Sequence, residues 1–165
     1  VQSGGIDSVL AKAVLAGLLR HPVEIARHME VLSSLRIADG ALGRLFEAVI
    51  DVALEDGQLD SGRLVTILAK SGFDRLTGEL LRADTLAFSF TREGGDDQAR
   101  AVADLGEAIA VMVARPAVDA ALAAATEAMR TGLSDAAFER QVALVRERQS
   151  LDARLANLVL SDEDG

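Results

Sequence analysis

Apolar residues recur at intervals of three and four along most of this chain, the period of helices seated on a core. Ile6, Val9, Leu10, Ala13, Val14 and Leu18 share one helical face. That helix is expected to end at Arg20-His21, because the residue before Pro22 is pushed out of the α region. Pro22 suits the first turn of a short second helix through Ile25, Met29 and Leu32. Asp39 is placed to cap a third, with the stripe Leu42, Leu45, Phe46, Val49, Ile50 and Ala53, and Gly57 stops it. Asp60 caps a fourth, with Leu64, Ile67 and Leu68 inward and Gly72 at its end. A fifth is predicted from about Asp74 to Arg82. The apolar stretch Thr85 to Phe90 reads as a packed loop, with a helical turn as the other reading.

Arg92-Glu93-Gly94-Gly95-Asp96-Asp97 is the clearest internal break. Beyond it, two helix-length segments, 96–130 and 134–160, are joined at Thr131-Gly132-Leu133-Ser134. The first carries Val102, Leu105, Ile109, Met112 and Val113 on one stripe. After Pro116 the stripe moves to Val118, Leu122, Ala125 and Met129. A proline inside a helix costs about 3 kcal/mol, so a bend or break is expected there. Ala117, Ala120, Ala121, Ala123 and Ala124 keep the helix thin, so a second helix can approach closely. Ser134 can cap that second helix, with Asp135 well placed for its dipole. The second helix has two apolar faces: Phe138, Val142 and Val145 on one, Leu144, Leu151, Leu155 and Leu158 on the other. An antiparallel return helix satisfies one face. The other needs the bundle, a second copy of the chain, or a partner. Arg140, Arg146, Arg148 and Arg154 sit between the two.

Composition narrows the function. Half of the 165 residues are hydrophobic, mostly Ala, Leu and Val, and only 3% are aromatic, all Phe. That supports a helical core. A net charge of -9 repels phosphate, and there are few aromatic rings for single strands to stack on, so no direct nucleic-acid partner is expected. The absence of cysteine excludes disulfides, thiolate zinc sites and Cys nucleophiles. No apolar run reaches the roughly 18 residues of a membrane span, and no signal-peptide pattern is present. Cytoplasmic localisation is expected. Residues 1–5 resemble an engineered junction and are set aside, which suggests a piece excised from a longer protein.

Candidate chemistry is sparse. His21, Glu24 and His28 are spaced three and four apart and could present two imidazoles and a carboxylate to zinc. His21 falls at a helix boundary, however, and no further firm ligand is visible. Asp51, Glu55, Asp56 and Asp60 could hold a cation, but the pattern is better read as a solvated helix face with end and cap residues. Gly94-Gly95 lacks the Lys-Ser/Thr of a phosphate loop and any preceding strand. No catalytic residue, cofactor or metal is expected.

Several stretches together resemble the C-terminal helicase-binding domain of bacterial DNA primase. They are Ala16-Gly17-Leu18-Leu19-Arg20-His21-Pro22-Val23-Glu24-Ile25-Ala26, the stretch from Leu42 to Asp51, Leu59-Asp60-Ser61-Gly62-Arg63-Leu64, and Leu133-Ser134-Asp135-Ala136-Ala137-Phe138-Glu139-Arg140. The resemblance lies in their order, spacing and total length, from Ile6 to about Leu160. It implies a helical bundle followed by a terminal hairpin that docks on the N-terminal domain of the hexameric replicative helicase. That docking recruits primase to the fork and modulates priming and helicase activity. The family's polymerase chemistry lies in upstream domains, so the resemblance assigns no catalytic residue here.

The expectation is an all-α, non-catalytic interaction module, with a bundle over 6–113 and a hairpin with a short acidic tail over 114–165. Its expected partner-binding residues are Phe138, Val142, Val145, Arg146, Leu151, Leu155 and Leu158. The helicase N-terminal domain is the expected partner, with single-strand-binding protein and a weak homodimer as further candidates. Alternative readings are a self-associating helical module, the related N-terminal domain of the helicase itself, and a small metal-dependent enzyme.

Overall fold

A computed structural model describes residues 4–35, 37, 40–82, 88–91 and 98–159, with side chains from Val9 onward. These residues are all-α: α1 (Gly4–Arg20), α2 (Val23–Arg27), α3 (Met29–Ser33), α4 (Gly40–Glu55), α5 (Ser61–Leu68), α6 (Asp74–Arg82), α7 (Gln98–Thr131) and α8 (Asp135–Leu158). Among the described residues the sole strand-like feature is an isolated antiparallel bridge between Phe88 and Val159. The expected Asp39 cap, Thr85 to Ala87, the break at 92–97 and the tail beyond Val159 lie outside the described residues.

The centre of the bundle is α1. Every residue from Ala13 to Leu19 is buried, so the helix is enclosed on all sides. This corrects the amphipathic expectation: Val9, assigned to the inward face, is half-exposed, whereas Leu15 and Leu19 are fully buried. The helix also begins at Gly4, inside the segment set aside as a junction. Helices α2, α4, α5, α6 and α7 pack around it. Gly17 marks the closest approach. A Cβ built there would lie 2.7 Å from Phe90 Cδ1 and 2.8 Å from Leu105 Cδ1, so glycine admits the 88–91 turn and α7 at once. Phe90 is fully buried and stacks on Phe88, with ring centroids 5.2 Å apart. Ser89–Thr91 form a single helical turn, the second of the two readings of that stretch.

Two side chains fasten the end of α1. Ser61 Oγ donates to the Leu19 carbonyl at 2.6 Å, and Arg20 Nη2 donates to the Leu81 carbonyl at 2.9 Å. They satisfy carbonyls that helix ends leave without intrahelical donors. The second predicted helix is two short ones, separated by a turn at His28 (φ -109°, ψ 16°), with Ile25 and Leu32 still buried. Helix α4 buries Leu42, Leu45, Phe46 and Val49. Asp60 caps α5 by accepting from Arg63 N at 2.8 Å. Gly72, at φ +95°, turns the chain from α5 into α6, a conformation that favours glycine.

Helix α7 is continuous from Gln98 to Thr131, so Pro116 neither ends nor interrupts it. Pro116 is solvent-exposed, so its ring lies on the outer side of the helix. Helices α7 and α8 form an antiparallel hairpin with a coiled-coil seam. Ala108, Val111, Arg115, Val118, Leu122, Ala125 and Met129 follow alternating steps of three and four on α7. Ala137, Gln141, Leu144, Arg148, Leu151, Leu155 and Leu158 do the same on α8. The seam carries charge as well as apolar side chains. Arg115, only 7% exposed, meets Asp152 at 2.9 Å and Asp119 at 4.0 Å. Arg148 reaches Asp119 at 3.5 Å, Arg154 pairs with Glu107, and Gln141 donates to Thr126 Oγ1 at 3.1 Å.

The contiguous core includes Val118, Leu151 and Leu158, so the hairpin is rooted in the bundle, across the boundary expected at 113/114. Ala125 and Leu144 are buried farther out, beyond that core. By length and composition α7 also qualifies as a candidate membrane span, with an 18-residue stretch that is one-third buried. The sequence expectation had no such run. A core helix passes the same test, and Arg115 and Asp119 in mid-helix are engaged with α8.

Candidate docking surface

Among the described residues, large apolar side chains are exposed singly on the bundle, at Val9, Val23, Val31 and Leu54, at Val159 after α8, and as the set Leu133, Phe138 and Val145 on the distal hairpin. Ser134 Oγ accepts from Ala137 N at 3.1 Å and starts α8. With Leu144, Leu151 and Leu158 turned into the seam, Phe138, Val142 and Val145 fall on a different face. Phe138 is 56% exposed and Val145 38% exposed, and Val142 is half-buried. Leu133, in the connecting loop, is 81% exposed. Arg146 is exposed one residue beyond Val145.

The seven residues expected to contact a partner therefore divide. Phe138, Val142, Val145 and Arg146 lie together on the open face. Leu151 and Leu158 are buried in the protein's own core and Leu155 packs against it. As exposed anchors these three leucines are corrected: their face lies against α7 and the bundle, so they hold the hairpin in place. Leu133 was not among the expected residues. Its signal was a large apolar side chain in an otherwise polar turn, Thr131-Gly132-Leu133-Ser134.

The candidate chemistry elsewhere resolves into local structural roles. Glu24 is buried; its Oε2 lies 3.2 Å from Arg27 Nη1 and its Oε1 lies 3.6 Å from His28 Nε2. His21 sits at the α1–α2 junction. Burial pushes its imidazole below the ordinary histidine value, partly opposed by Glu24 and reinforced by Arg20. Among the described residues, no group of three His, Cys, Asp or Glu side chains is arranged to hold a metal ion. In the acidic cluster, Asp56 accepts from Gln58 N at 2.9 Å and pairs with Arg63 at 2.6 Å, while Asp60 caps α5. Asp51 and Glu55 are exposed.

One open groove lies between α4 and α6, lined by Ala41, Arg44, Gly72, Phe73, Arg75, Leu76 and Glu79, with a volume of about 380 Å³. Glu79 lies 3.5 Å from Arg75, one turn away on the α6 wall. It has neither a nucleophile with a partnered base nor a metal-ligand set. Surfaces of this kind suit recognition by packing. No protein-family model, curated protein or solved structure matches this chain.

Proposed function

We propose that this chain is a non-catalytic docking domain, and that its partner is the N-terminal domain of a hexameric bacterial replicative helicase. On this reading it is the helicase-binding part of a cytoplasmic bacterial DNA primase whose polymerase chemistry resides in other domains. It recruits the primase to the fork and modulates priming and unwinding. The observation that carries the proposal is the exposed apolar set Leu133, Phe138 and Val145 at the far end of a long hairpin rooted in a closed core. Such a hairpin presents Phe138 and Val145 on a helix, with Leu133 in the loop beside it, and a preformed helix lowers the ordering cost of binding.

Three of the four stretches that resemble primase fall at structural junctions, and the fourth lies within a helix. The Leu-Leu-Arg-His-Pro stretch is the α1–α2 corner, Leu42 to Asp51 lies in α4, Asp60 is the α5 cap and Ser134 the α8 cap. The test is a pull-down in which the immobilised chain is offered a purified hexameric bacterial replicative helicase or its isolated N-terminal domain. Retention of both is expected. Retention of neither, by a chain whose circular dichroism is helical, would end the helicase assignment.

A further inference from the structure

We infer that the open face of α8 is self-complementary and that two copies of this chain pair through it in antiparallel fashion. The face is a second coiled-coil stripe: Asp135, Phe138, Val142, Val145, Gln149 and Asp152 follow steps of three and four. Its apolar centre is flanked asymmetrically. Asp135 and Glu139 lie at the N-terminal end, and Arg146 lies at the C-terminal end on the same flank as Glu139. All three are solvent-exposed, and neither Glu139 nor Arg146 has an ion-pair partner among the described residues.

A two-fold axis near the middle of the stripe runs the two helices in opposite directions. It brings Phe138 onto the Val142–Val145 end of the other copy and Glu139 towards that copy's Arg146, twice by symmetry. In a parallel pairing this flank of each copy lies on opposite sides of the interface, so Glu139 and Arg146 would not meet. Long-range charge favours the same contact. From residue 114 to 159, six arginines balance six carboxylates, so the net charge of -9 resides in the rest of the chain. Pairing hairpin to hairpin keeps the two acidic bundles apart.

This inference does not depend on the identity of the partner in the preceding section. The partner proposed above meets the same face, so the dimer covers Phe138 and Val145 and competes with it. The test is sedimentation equilibrium of the 165-residue chain over micromolar to millimolar concentration, with circular dichroism as a check on folding. A monomer–dimer equilibrium is expected. Glu139→Arg alone and Arg146→Glu alone should each weaken it by roughly tenfold, because two symmetry-related pairs become repulsive together. The double reversal Glu139→Arg with Arg146→Glu should restore it. A strictly monomeric chain, single reversals without effect, or a double reversal that fails to rescue would each overturn the inference. A helicase pull-down on the same variants reads the docking proposal separately.

Discussion

Removing the Asp152 carboxylate should destabilise the protein, while removing the guanidinium it faces should not. Arg115 occupies a seam position that an apolar residue would ordinarily fill, and only its ion pairs compensate for its burial. At the observed 2.9 Å, the attraction to Asp152 is about 1.4 kcal/mol in a water-like dielectric and about 6 kcal/mol at an effective dielectric of ~20. The Asp152 side chain is half exposed, which places the pair towards the weaker limit. Asp119 remains 4.0 Å from Arg115 after the substitution and retains part of the attraction. Asp152→Ala should therefore cost about 1–3 kcal/mol. Arg115→Met fills the seam with an apolar side chain of similar length. It leaves Asp152 with solvent access and Asp119 close to Arg148, so stability should stay within ~1 kcal/mol of the parent or rise. Urea unfolding followed by circular dichroism at 222 nm measures both. An Asp152→Ala protein as stable as the parent, or Arg115→Met as the more damaging change, would refute this account of the seam.

Three further outcomes follow from the packing. Gly17→Ala places a methyl group against fully buried Phe90 and Leu105 and should cost about 1–3 kcal/mol, seen as a lower urea midpoint with an unchanged slope. Pro116→Ala restores a backbone donor and replaces the poorest helix former with the best at an exposed position of a continuous helix; it should raise stability by about 1–3 kcal/mol, and a lower melting temperature would contradict the geometry. His21 has a lowered pKa in the folded state, so below about pH 6.5 the unfolded chain binds the proton more readily. Stability should fall as the pH drops through that window, and His21→Gln should flatten the dependence; identical pH profiles for the two proteins would remove His21 as its source.

The legible parts of the fold were those fixed by local chemistry. Asp60 and Ser134 start helices because their side chains accept backbone donors three residues on. Gly72 ends one because few other residues adopt its φ. The α4 stripe was equally plain, since one side faces the core and the other water. The surprises came from tertiary context. Val9-Leu10-Ala11-Lys12-Ala13 reads as a surface helix with an inward stripe, yet the run from Ala13 to Leu19 is buried on every side by helices distant in sequence. Pro116 should bend a helix, but α8 packs along its length and the proline points outward, so the helix persists. On α8 the periodicity identified two apolar faces without saying which would be sheltered. Sheltering was decided by the seam with α7, which buries Leu144 and Leu151 and leaves Phe138 exposed. Leu133 was missed because a single residue in a loop has no period.

The docking claim is tested most directly by titrating a fluorescently labelled chain with purified hexameric bacterial replicative helicase, using the parent and a Phe138→Ala, Val145→Ala variant. Both side chains are exposed, so the fold should be unaffected. The account predicts saturable binding by the parent and a loss of about 2–4 kcal/mol in the variant, a Kd at least roughly thirtyfold weaker. Equal affinity of parent and variant, with both folded, would contradict it.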